Sequence, residues 1–157
     1  MSNRQQIIDA LVTRLKTIVA GDVITLDNDE EYTYATSAGS AVEEWRTTPL
    51  EQKEPFALVV YDQEARKTID DDTSIGYQRH ALQIDIVVVT QQATPLAMAR
   101  AMMADVSACI GIDPTFGGLA AWTQIISDSL DMDAKARVYA GARVSIEITY
   151  DTPLWQM

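Results

Sequence analysis

The sequence predicts an α+β domain: an antiparallel or mixed sheet of four to five strands with two amphipathic helices packed on one face. Three observations predict it. Two segments repeat their apolar residues at helical spacing, and two others alternate apolar with polar residues as half-buried strands do. Several strand-like segments also follow one another without a helix between them, which favours hairpin pairing over βαβ crossovers. A chain of 157 residues, 47% hydrophobic and 22% charged, is long enough for one domain with a real core, taken as 1–157.

The first helix is expected over residues 3–19. Ser2 with Gln5 three residues on makes a capping-box pattern, and Ile7, Ile8, Leu11, Leu15, Ile18 and Val19 share one face. Gly21 stands where a glycine ends such a helix, and a strand can start at Val23–Leu26. Residues 27–54 carry no clear period and read as a long loop with room for one short strand or helical turn; a loop of that length is usually functional or partly mobile. The run Phe56–Asp62, after Pro55, has the signature of a buried strand, and a second loop is expected over 63–75. Leu82, Ile84, Ile86 and Val88 alternate with Gln83 and Asp85, marking a long half-buried strand. Thr94 as cap and Pro95 at the first helical position open the second helix, whose face is Leu96, Ala99, Met102, Met103, Val106 and Ile110 until Gly111. A proline and glycine turn follows at 112–120. Thr123, Ile125 and Ile126 tilt Trp122–Leu130 toward strand, and Val144, Ile146, Ile148 and Tyr150 mark the last one.

Charge excludes some functions. Twelve basic against 23 acidic residues give a net charge of −11, with residues 1–80 holding 15 acids and 8 bases. Such a surface repels phosphate, so neither a nucleic-acid gripper nor a ligand of anionic membranes is expected. No apolar run reaches membrane-spanning length, and Arg4, Asp9, Arg14 and Lys16 interrupt any signal-peptide core, so the expected compartment of synthesis is the cytoplasm. One cysteine, Cys109, and one histidine, His80, cannot make a disulfide or the usual zinc sites.

Catalytic patterns fail on spacing. Gly111 and Gly117 lie one residue too far apart for a phosphate loop, and Gly118 and Leu119 stand where lysine and serine or threonine belong. Asp27, Asp29 and Glu31 begin like a calcium loop, but Tyr32 replaces the glycine and Ala38 the closing glutamate; Asp131 and Asp133 fail likewise at Ala142. A serine nucleophile, Ser74 or Ser107, would need His80 as base, and no G-x-S-x-G elbow places one. His80 shares the parity of Leu82 and Ile84, so a buried structural histidine is expected, and Cys109 is expected in the core. No enzyme activity, cofactor or metal is expected. Trp45 in a polar loop and Trp155 beyond the last strand stand where tryptophan often anchors a partner; for Trp155, folding back over its own core is the equal alternative.

The order of elements, LVVYD at 58–62, DPTFGGLA at 113–120 and YDTPLW at 150–155 resemble the tail terminator (tail completion) proteins of long-tailed bacteriophages, over most of the chain. The resemblance implies a sheet flanked by helices, assembled as a ring, usually six-membered, that caps the tail tube and joins it to the head-tail connector. It implies a virion protein assembled in the host cytoplasm, whose partners are its own copies, the tail-tube protein and a connector or stopper protein, with no membrane partner. DNA passes through the channel without being held, and there are no catalytic residues to carry over. By position, Trp45, Tyr150, Leu154 and Trp155 are candidate assembly contacts, as are loop 63–75 and tail 151–157. The acidic loops bearing Asp27, Asp29, Glu30, Glu31, Asp70, Asp71 and Asp72 are candidate channel-facing surfaces. Alternatives are a head-tail stopper or adaptor and, further off, a divalent-metal hydrolase.

Overall fold

The computed structural model describes residues 1–51, 54–68, 76–91, 94–133 and 139–153. Helix α1 (Asn3–Leu15) leads to a small hairpin, β1 (Val23–Thr25) and β2 (Glu31–Thr33), and a single 3₁₀ turn at Gly39–Ala41 precedes β3 (Val42–Glu44). Then come β4 (Phe56–Thr68), β5 (Tyr77–Thr90), α2 (Pro95–Gly111), β6 (Trp122–Asp133) and β7 (Tyr139–Pro153). The main sheet has five strands in the order β3-β4-β5-β7-β6. Among the described strands only the β3–β4 pair is parallel, so the sheet is mixed. The expected α+β class holds.

Alternation along the central strands decides the layering. Leu82, Ile84, Ile86 and Val88 of β5 and Val144, Ile146 and Ile148 of β7 point to one face. There they meet Ile7, Leu11 and Leu15 of α1 and Ala99, Met102, Val106 and Cys109 of α2 in one continuous core. Both helices therefore cover the same face. Each fully buried Ile or Leu contributes roughly 1.5–3 kcal/mol. On the opposite face the described residues make a small apolar patch, Leu50, Ala57 and Val59 with Tyr61, Val89 and Tyr139 beside it.

Five features differ from expectation. The first helix ends at Leu15: Thr17 N–H reaches back to Arg14 O and Ile18 N–H to Leu15 O, tightening the last turn, so Ile18 and Val19 lie beyond it. Gly21, at φ +90°, instead turns the chain into β1, its N–H donating to Tyr34 O. The loop expected over 27–54 contains β2, the 3₁₀ turn and β3, and the one expected over 63–75 begins as strand, because β4 runs on to Thr68 with a bulge between Asp62 and Ala65. Thr94 holds the cap position of α2 without a capping hydrogen bond from its side chain.

Candidate assembly surfaces

Trp45 is held by its neighbours. Its backbone takes the left-handed φ of +52°, costly for a side chain of that size, and its N–H bonds Val60 O at 3.1 Å. The indole packs edge-on against Tyr61, centroids 5.0 Å apart, and Nε1–H donates to Asp62 Oδ1 at 2.8 Å. The other oxygen of Asp62 binds the Arg4 guanidinium, whose Nε lies at 2.9 Å. Burial pushes the Asp62 carboxyl up, but the Trp45 and Arg4 hydrogen bonds outweigh it and the net shift is downward. Trp45 thus presents 53% of its surface from a fixed pose.

Next to it, Arg46 lies between Glu54, at 2.6 Å, and Glu43, at 3.3 Å. It lines a cleft of about 440 Å³ bounded by Ala38, Gly39, Pro55 and Phe56. With two carboxylates on one guanidinium, the cleft offers no net positive charge to an anion.

The acidic residues at 27–31 form a pinned turn. Leu26 N–H bonds Glu30 O at 2.8 Å, Asp29 takes a φ of +66°, and Asp27 N–H ties the turn to Gly111 O at the end of α2. Asp27, Asp29, Glu30 and Glu31 all face solvent. Asp70, Asp71 and Asp72, with Ser74, lie outside the described residues.

The carboxylate that organises this region is Asp105, which the sequence reading passed over. It is completely buried on α2. Its oxygens accept from Tyr32 Oη at 2.9 Å, Ala35 N at 3.1 Å, Thr36 N at 2.7 Å and the Thr36 hydroxyl. Burial, then Asp105, pushes the Tyr32 hydroxyl up to about 12. The available signal was an acid inside the apolar stripe of a helix, between Met102 and Cys109.

At the far sheet edge, β6 pairs among the described residues with β7 alone. Trp122, Ile125, Ile126 and Met132 are 44–51% exposed along it. The β-branched residues that tilted 122–130 toward strand did not reveal its place at the edge.

Tyr150, a candidate contact, is corrected: it is 1% exposed, its ring stacked on His80 with centroids 4.9 Å apart, and offers no surface to a neighbour. Its position in the terminal strand was the whole argument, and its parity puts it under the helices. Leu154 and Trp155 lie outside the described residues. His80 is buried as expected, its Nε2 lying 2.8 Å from Thr152 Oγ1, and Cys109 is a core residue whose thiol burial pushes up. Ser107 spends its hydroxyl on Met103 O. Among the described residues, no group of three or more His, Cys, Asp or Glu is placed to hold a metal ion, and no helix is long and apolar enough to cross a membrane. No protein-family model matches the chain, and a search of curated proteins gives no match.

Proposed function

We propose that this chain is a structural ring subunit of the tail-terminator type it resembles. Copies of it cap the tail tube of a long-tailed bacteriophage and join it to the head-tail connector, and DNA passes through the channel during ejection. The observation that carries this reading is β6, a twelve-residue edge strand bearing four half-exposed large apolar side chains. A surface of that kind invites another chain. Trp45 adds a preset aromatic anchor near the opposite edge of the sheet, and a net charge of −11 suits a channel that must not hold DNA.

Light scattering over a concentration series, with negative-stain imaging, tests the reading. The expected result is a species near six times the 17.3 kDa monomer mass with a central hole. Addition to polymerising tail-tube protein should then fix tube length. A chain that stays monomeric and leaves tube length unregulated overturns the proposal, and density at the tail tip would indicate another tail component.

A further inference from the structure

We infer that the ring closes by sheet extension: β6 of one copy pairs antiparallel with the outer half of β4 on the next, which no described strand other than β5 pairs, head to tail. This rests on the ring reading above and supplies its interface.

The two edges of the sheet are unlike and complementary. The β6 sequence, WTQIISDSLDMD, contains no base; Asp128 and Asp131 are exposed, as are Trp122, Ile125, Ile126 and Met132. On the other side, β3 covers only Leu58–Val60 of β4, and Arg4 bonds the Gln63 carbonyl. From Ala65 to Thr68, β4 pairs among the described residues with β5 alone. That stretch exposes Arg66 and Lys67, neither of which makes an ion pair with another described residue.

Face and direction agree. Lys67 registers with His80 and Tyr150, and Asp128 with Val144, so both side chains lie on the helix-covered face. Arg66 registers with Ala81, and Asp131 with Gly141, on the opposite face. Successive antiparallel pairings make β4 and β6 run in opposite senses. Copies rotated about an axis along the strands therefore meet antiparallel, with base and acid on matching faces. A twofold contact of β6 with itself would bring together two strands that carry Asp128 and Asp131 and no base, which like-charge repulsion disfavours. The heterologous contact, repeated, closes into a ring.

Charge reversal with rescue tests this. Asp128→Lys with Asp131→Lys, and separately Arg66→Glu with Lys67→Glu, should each weaken self-association at least tenfold in light scattering, with unchanged far-UV circular dichroism because all four side chains are exposed. An equimolar mixture of the two variants should reassemble, since each then meets an opposite charge on both edges. If both variants assemble as the wild type does, or the mixture does not recover, the interface is overturned while the ring stands. A wild-type chain monomeric at every concentration, with a mixture that is monomeric too, overturns this interface, and the ring with it when tube length also stays unregulated.

Discussion

Asp105 shows how one side chain can order a segment without periodicity. Residues 32–36 have no repeat that would place them, yet four donors from that stretch converge on one buried carboxylate. Removing the acceptor leaves the buried N–H and hydroxyl of Thr36 unpaired, each worth about 1–3 kcal/mol. Asp105→Ala is therefore expected to lower stability by about 3 kcal/mol in urea unfolding, and Asp105→Asn to recover only part of it, because an amide turns donors toward donors. His80 sets a pH dependence. Burial holds its imidazole below the ordinary 6.5, the Lys67 charge adds to this, and Asp151 opposes it. Below pH 6.5 the unfolded chain then binds more protons than the folded one, so stability falls as pH drops from 6.5 toward the folded value. Asp62 and Asp113 sit below the ordinary 3.8, so their contributions are lost only at more acidic pH. Thermal melting between pH 7 and 5 should show a decline in Tm that His80→Gln flattens; an equal decline in the variant would assign it elsewhere.

Elements fail or hold by their edges and turns. The turn after α2 sets three successive residues, Phe116, Gly117 and Gly118, at φ of 50°, 71° and 87°. Asp113 braces it, accepting from the Thr115 and Gly117 N–H groups. A Cβ at Gly118 meets nothing within 4 Å, so Gly118→Ala tests backbone strain alone, with an expected cost of about 1 kcal/mol in urea unfolding. On β6, Ile125 and Ile126 are each 44% exposed, one on the helix-covered face and one at the bulge. Ile126→Lys should leave the melting temperature within a few degrees and reduce self-association in light scattering. A variant that unfolds instead would make β6 part of the monomer's own core.

For the whole molecule, the acid is placed where it can act at a distance. The hairpin at 27–31 carries four exposed acids on a turn anchored to α2, so its charge is fixed in position. Facing a channel, it would repel DNA phosphate over roughly a Debye length, about 8–10 Å. Replacing Asp27, Asp29, Glu30 and Glu31 with their amides, or Asp70–Asp72 with asparagine, is expected to leave assembly intact and slow genome ejection from reconstituted virions. Unchanged ejection kinetics would remove these loops from the channel.

What the sequence determined by itself was local and periodic. The 3.6-residue repeat of Ile7, Leu11 and Leu15 and the twofold repeat from Leu82 to Val88 state which face each element buries, and they hold because burial of those faces dominates the free energy. The same parity, read for His80, foretold its burial, and read for Tyr150 would have withdrawn it from the surface. Tertiary structure alone decided which strand lies at an edge, that β3 joins β4 in parallel, and that Asp105 gathers donors some seventy residues away. Those are choices among neighbours distant in sequence, and no local pattern of residues encodes which neighbour wins.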